Sequence, residues 1–206
     1  MKIYQSSLEF SHFPVMLSEI LEISSPAQGG VFVDCTLGGG GYSQAILKFP
    51  KTKVIGIDRD SDVISVAKKL KKKFQERFSF HNLKFSQIDS ILKYNVDTII
   101  FDLGLSSIQL KNFKRGFSFK SKERLDMTMG LSDFSAQDVI NNLSETQLNL
   151  IIRILGEEKE SKKIAKNIVK ARSQKKITRV DELVEIIVRS KKKNYSHKIN
   201  PCTKTF

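Results

Sequence analysis

Val31 to Leu47 reads VFVDCTLGGGGYSQAIL. An apolar run ends in an acid, Asp34. Four consecutive glycines, Gly38 to Gly41, follow, and helix-forming residues begin directly after them. Glycine lacks a side chain, so a joint of this kind lets a ligand or another segment approach the main chain closely. A strand–glycine–helix joint also leaves free backbone N–H groups at the start of a helix, which favours anions and polar ligands. A dinucleotide fingerprint requires GxGxxG. Counting from Gly38 and Gly40 the third position is Ser43, and counting from Gly39 and Gly41 it is Gln44. That disfavours an NAD-dependent oxidoreductase. A phosphate-binding loop requires GK[ST], which Tyr42-Ser43 does not supply. The remaining pattern, an acid, a glycine turn and a helix, is that of an S-adenosylmethionine enzyme.

Outward from this joint, the first half of the chain alternates. GVFVDC (Gly30–Cys35) is expected as a short buried strand and YSQAILKF as the start of a helix. KVIGID (Lys53–Asp58) is a second strand ending in an acid. In SDVISVAKKLKKKFQER, Ser61 and Asp62 are the expected caps, and Val63, Ile64, Val66, Ala67, Leu70 and Phe74 fall on one helical face. RFSFHNLKF contains a third strand, and VDTIIFD (Val96–Asp102) is a fourth, again ending in an acid. Buried strands alternating with helices predict an α/β fold, a parallel sheet with helices on both faces. Ligands of such sheets bind beyond the carboxyl ends of the strands, where Asp58 and Asp102 stand. A carboxylate at Asp58 accepts both ribose hydroxyls of a nucleoside. Phe85, just past the third strand, has two readings, a platform for adenine or an ordinary core phenylalanine.

The second half has no comparable strands. SAQDVINNLSETQLNLIIRILGEE carries Val139, Ile140, Leu143, Leu148, Ile151, Ile152 and Leu155 at or near helical spacing, and two further segments read the same way. The net charge is +13 and is unevenly placed. Residues 1–107 hold 13 Lys and Arg against 11 Asp and Glu, and residues 108–206 hold 22 against 11. An excess of +11 in the second half suits a polyanionic partner. KRGFSFK (Lys114–Lys120) interleaves cations with Phe117 and Phe119. Either the rings stack on unpaired bases or they pack the lobe against the sheet. KKLKKK (Lys68–Lys73) reads as a solvated helix face.

No apolar run approaches the roughly 20 residues of a membrane span, and MKIYQSSLEF has no signal-peptide core. Two distant cysteines, Cys35 and Cys202, and three scattered histidines predict neither a disulfide framework nor a metal cluster. The expected location is the cytoplasm.

Read together, HFPVML (His12–Leu17), DCTLGGGGYS, GIDRD, FDLGLSSIQL, RGFSF, RLDMTM, LGEE and PCTKTF stand in the order of one family. The chain resembles the bacterial 16S ribosomal RNA cytosine-N4 methyltransferases from about residue 12 to its last residue. The resemblance implies a class I, Rossmann-like methyltransferase core with an inserted helical substrate-recognition domain. It also implies methyl transfer from S-adenosylmethionine to the exocyclic amine of a cytidine in the small ribosomal subunit. The implied cofactor contacts are Gly40, Gly41, Tyr42, Asp58, Phe85, Asp102 and Gln109, the last from the resemblance alone.

On this basis residues 1–109 are expected as the N-terminal part of the core, with strands one to four, and 110–206 as a basic helical RNA-recognition lobe. The family's sequences continue past the equivalent of Phe206 with strands that return to the sheet. The expectation is therefore an incomplete sheet, with an inactive remnant that binds RNA or cofactor as the alternative to a working enzyme. Tyr42 stands in place of the family's usual histidine, Thr128 in place of an arginine, and Cys202 and Lys204 in place of alanine and arginine. The cytosine amine is a weak nucleophile, because its lone pair is delocalised into the ring. The enzyme has mainly to position it, with Asp102 or a backbone carbonyl of the DLGLSS turn as acceptor for its N–H.

Overall fold

The computed structural model describes residues 14–92, 95–106, 109–110, 112–191 and 200–206. His12 of HFPVML and Ser107 and Ile108 of DLGLSSIQL lie outside the described residues. Two compact units are present, Met1–Ile108 with Met129–Leu131, and Gln109–Thr128 with Ser132–Phe206.

The first unit holds α1 (Leu17–Ser24), β1 (Gly30–Asp34), α2 (Gly41–Ile46), β2 (Thr52–Ile57), α3 (Ile64–Phe74), β3 (Phe78–His81) and β4 (Thr98–Ile100). The strands form a parallel sheet in the order β3-β2-β1-β4. Val33 stands level with Ile55 on one side and Ile99 on the other. Alternation divides the strand residues between two apolar layers. Phe32, Val54, Phe78 and Ile100 pack with residues of α1, α2 and α3, including Leu17, Ile46, Ala67 and Leu70. On the opposite face Val33, Cys35, Ile55 and Ile57 pack with Leu83, Ile88, Ile91, Leu92 and Val96.

That second layer corrects the expectation of helices on both faces. The connection from β3 to β4 is a 3-10 segment, Phe85–Ser90, which Gln87 interrupts with non-helical torsions. Ile88 of this segment and Leu83, Ile91, Leu92 and Val96 around it cover the face over β1 and β2, while Ile99 of β4 on the same face stays exposed. The cap of the third helical region also differs from expectation. Asp60, not Ser61 or Asp62, accepts from the Asp62 N–H, and a 3-10 turn (Ser61–Val63) precedes α3. Asp60 has the extended torsions of an N-cap, which leave its carboxylate free to turn back to the helix start.

The second unit holds α4 (Ala136–Asn142), α5 (Glu145–Ile154), α6 (Ser161–Arg172) and α7 (Val180–Ser190). Ser135 with Asp138 and Ser144 with Gln147 form reciprocal capping boxes at the starts of α4 and α5. Leu148, Ile152, Ile164, Ile168, Leu183 and Ile187 are the centre of its core. Leu155, read with this stripe in the sequence, is exposed. The only β contact in this unit among the described residues is an isolated antiparallel bridge between Arg124 and Arg179.

Neither phenylalanine of KRGFSFK presents an open ring face, and each is accounted for inside the helical unit. Phe117 is buried under the Arg115 guanidinium, and Phe119 packs in the core edge-on to Phe206. Arg115 also donates to the Thr128 carbonyl. Because that acceptor is main chain, the contact is indifferent to threonine or arginine at 128. Cys35 and Cys202 are both buried free thiols. Among the described residues no helix is long and apolar enough to cross a membrane.

Candidate functional site

β1 has β2 on one side and β4 on the other, so the connections leaving the carboxyl edge diverge at this strand. A crevice at such a switch point is where parallel α/β sheets place ligands. The chain leaving β1 stays tied to both neighbours. Cys35 N–H donates to the Ile100 carbonyl at 2.9 Å, and Leu37 N–H to the Ile57 carbonyl at 3.0 Å. The glycine loop is therefore held between the ends of β2 and β4.

Asp34 closes β1 and is fully buried. Its Oδ2 accepts from the Ser43 hydroxyl at 2.7 Å and its Oδ1 from the Thr36 N–H at 3.3 Å, which ties the strand end to α2 across the loop. Burial pushes its carboxyl up to about 6, against the opposing effect of those hydrogen bonds.

The four glycines have different reasons. Gly38 and Gly40 have φ of 47° and 74°, in the left-handed region that side chains rarely adopt. A methyl on Gly40 would also meet Leu70 Cδ1 at 2.9 Å, and one on Gly41 would meet Pro14 Cγ at 2.3 Å. Gly39 has neither constraint. Its φ is not left-handed, and a Cβ there would have no atom within 4 Å. Backbone conformation explains Gly38, conformation and packing Gly40, and packing Gly41, while Gly39 faces open space.

Asp58 follows β2. Its Oδ2 accepts from the Gly38 N–H and its Oδ1 from the Asp60 N–H, both at 2.9 Å. Each carboxylate oxygen can accept twice, so one site on each oxygen remains after these bonds. Burial raises the Asp58 carboxyl above its ordinary value, and the two N–H donors oppose that rise. Asn82 Nδ2 donates to the Asp58 carbonyl at 2.8 Å and fixes its main chain from the β3 side. The next residue, Arg59, donates to the carbonyls of Met129 and Leu131 at 3.0 and 3.2 Å. Gly130 presses so closely on Arg59 that a methyl there would lie 2.1 Å from the Arg59 carbonyl oxygen.

Asp102 stands two residues past β4 and is exposed. Its N–H donates to Thr36 Oγ1 at 2.8 Å, and its Oδ2 lies 3.3 Å from the Tyr42 hydroxyl. That hydroxyl also lies 2.6 Å from the Val15 carbonyl oxygen. Phe85 is half-exposed and meets Phe101, also half-exposed, edge-on with ring centroids 5.5 Å apart. The structure thus gathers Gly40, Gly41, Tyr42, Asp58 and Asp102 at one edge of the sheet. It sets Phe85 beside Phe101, the residue before Asp102. Gln109 falls in the second unit, where its side chain is buried.

Several residues that shape this site were not singled out in the sequence. Ser43 and Thr36 organise it through Asp34 and Asp102, and nothing but their closeness to a strand-ending acid marks them. Arg59 is visible only as the centre of DRD.

A family model described as the MraW methylase family matches residues 9–206. Proteins named Ribosomal RNA small subunit methyltransferase H are similar over nearly the whole chain. The one from Sulfurihydrogenibium azorense is 45% identical over 203 residues, covering 95% of this chain and 69% of its own length. Those from Maricaulis maris and Clostridium botulinum are 42% and 43% identical, covering 95% and 97% of this chain and 59% and 66% of their own. The chain thus spans from 59% to 69% of the length of these relatives.

Proposed function

The chain belongs to the MraW methylase family, and on that premise we propose that it transfers a methyl group from S-adenosylmethionine to the exocyclic N4 amine of a cytidine in small-subunit ribosomal RNA. The observation that carries the cofactor reading is the pairing of Gly39 with Asp58. One offers main chain with no atom to obstruct approach, and the other a held carboxylate with an accepting site left on each oxygen. A nucleoside with two ribose hydroxyls suits that donor and acceptor arrangement. When bound, S-adenosylmethionine supplies an electrophilic methyl on a sulfonium.

The chain's own residues have three tasks. Asp58 orients the ribose. The half-exposed Phe85 ring offers a face to the adenine. Asp102 accepts from the cytosine amine, drawing its N–H out of conjugation so that the nitrogen lone pair points at the methyl. An exposed carboxylate whose main chain is fixed by Thr36 suits that role, since it is reachable from outside yet held in place.

The RNA reading draws on the relatives' printed names and on the excess of +11 in residues 108–206. The test is transfer of a labelled methyl group to small-subunit ribosomal RNA, with the product nucleoside identified as N4-methylcytidine. Transfer to another atom, or no transfer by the protein with cofactor and RNA present, refutes the reading. Asp58→Ala is expected to weaken S-adenosylmethionine binding by about 2–4 kcal/mol, the cost of two charge-assisted hydrogen bonds. Parental affinity in calorimetry would show that Asp58 does not hold the ribose.

A further inference from the structure

Tyr42 is nearly buried, its ring packed in the layer with Leu17, Ala45 and Ile46. Only its hydroxyl reaches the carboxyl edge, where Asp102 Oδ2 is 3.3 Å away and the Val15 carbonyl oxygen 2.6 Å. A phenol has one proton and two in-plane positions for it, while its oxygen accepts from elsewhere. The hydroxyl can serve one neighbour as donor at a time, and the packed ring leaves the O–H torsion as its only freedom.

We propose that Tyr42 is a positioning residue for removal of the amine proton: its hydroxyl donates to Asp102 while that carboxyl is ionised, and turns its proton to the Val15 carbonyl once Asp102 has taken one. The inference rests on the reading of Asp102 as the acceptor. As the nitrogen–methyl bond forms and the carbon–sulfur bond breaks, the amine nitrogen becomes cationic. One of its protons passes to Asp102, and the nitrogen keeps the bonding pair. Asp102 is then a carboxylic acid, which needs an acceptor where it previously needed a donor. The Tyr42 oxygen becomes that acceptor without moving, because Val15 takes its proton. Asp102 later releases the proton to water.

A fixed donor such as a backbone N–H would favour only the ionised carboxylate and oppose its protonation. Asp102 already has its main chain fixed through Thr36. Tyr42 adds control of the side chain without penalising either protonation state. The phenol itself stays neutral throughout. Burial and the neighbouring Asp102 charge push its ionisation up to about 12.

Tyr42→Phe keeps the ring and removes only the hydroxyl. The first measurement uses the ligand-free full chain and compares the unfolding midpoints of Tyr42→Phe, Asp102→Asn and the double variant. Coupling is expected, with the double variant's shift departing from the sum of the single shifts by a few degrees. Additive shifts overturn the inference. The second measurement is turnover. Tyr42→Phe should lower kcat by about tenfold or more and leave KM for S-adenosylmethionine within about twofold. An unchanged kcat, or a loss confined to KM, overturns it, since a group that only supported the loop would act on binding. Asp102→Asn separates the two claims. If that variant turns over at the parental rate, the reading of Asp102 as acceptor falls. If it is slow while Tyr42→Phe is not, only the role of Tyr42 falls.

Discussion

Each unit of this chain buries a carboxylate, and the two units deal with it in opposite ways. In the helical unit Glu158 and Lys191 are both buried and bonded to each other, and Glu158 also accepts from the Glu160 N–H at 3.0 Å. Burial is the largest single influence and pushes the Glu158 carboxyl up, but Lys191, the Glu160 N–H and the Lys204 charge together outweigh it and the net shift is downward. In the sheet unit Asp34 has only neutral donors, Ser43 and the Thr36 N–H, and burial wins. A paired charge completes itself inside its unit, whereas Asp34 carries a cost at neutral pH. That cost is met at the edge where strands, glycine loop and Asp58 converge. Strain of this kind is expected where a fold is arranged around a ligand rather than around its own stability.

The largest test of this contrast is Lys191→Met. It leaves Glu158 buried without its counter-charge, which costs about 3–5 kcal/mol. Urea unfolding of the variant should show that loss at neutral pH. The loss should shrink as the pH falls and Glu158 takes up a proton. A loss below about 1 kcal/mol would mean that the pair contributes little, as surface pairs do.

The opposite pH signatures sharpen the same comparison. Asp34 has a folded value of about 6 against an ordinary 3.8. Between these values the folded chain binds a proton that the unfolded chain does not, so this group's contribution to stability falls as pH rises from about 4 to about 6. The size is up to about 3 kcal/mol for a shift of this magnitude. Glu158 has the reverse sign. Its folded value lies below 4.5, so its contribution is present above that pH and is lost as pH falls through the folded value. Asp34→Asn should flatten the slope of stability between pH 4 and 6 and leave the acid-side loss in place. An unchanged slope would assign the titration to another group, and Asp58, also raised, is the first to examine.

Much of the sheet unit was legible in advance because two periodicities coincide there. Apolar runs of strand length alternate with helical faces, and each of the first, second and fourth runs ends in an acid at the carboxyl edge. Asp58 and Asp102 could be placed from that rule alone. Burial within the edge was not legible. Nothing in VFVDC distinguishes Asp34, sealed under Ser43, from the exposed Asp102. The difference arises because β1 is flanked on both sides while β4 has one neighbour among the described residues. The cap of the 3-10 turn that leads into α3 differs from the expectation for a related reason. DRDSD offers three carboxylates in five residues, and only the torsions decide that Asp60 turns back to the helix while Asp58 turns to the loop. In the helical unit the stripe on α5 was visible. The exposed Leu155, which caps the end of this helix, is not separable from Leu148 and Ile152 by spacing.

The smallest expected effect concerns the four glycines, and it distinguishes ligand from packing most sharply. Gly40→Ala introduces a Cβ at φ 74° and 2.9 Å from Leu70 Cδ1. The left-handed conformation alone costs about 1–2 kcal/mol, and the crowding adds to it. Thermal unfolding should register the change with no ligand present. Gly39→Ala differs by one position and by every relevant quantity. Its φ lies outside the left-handed region and its methyl meets nothing within 4 Å, so the unfolding midpoint should stay within about 1 °C or rise slightly as the unfolded chain loses freedom. If the open space over Gly39 is where S-adenosylmethionine lies, that harmless methyl should still weaken cofactor binding measured by calorimetry. The same change should leave the affinity for small-subunit RNA alone unaltered. A Gly39→Ala variant that is both fully stable and fully competent for the cofactor would show that Gly39 does not face the ligand, and the site would have to lie farther along the edge, towards Asp102.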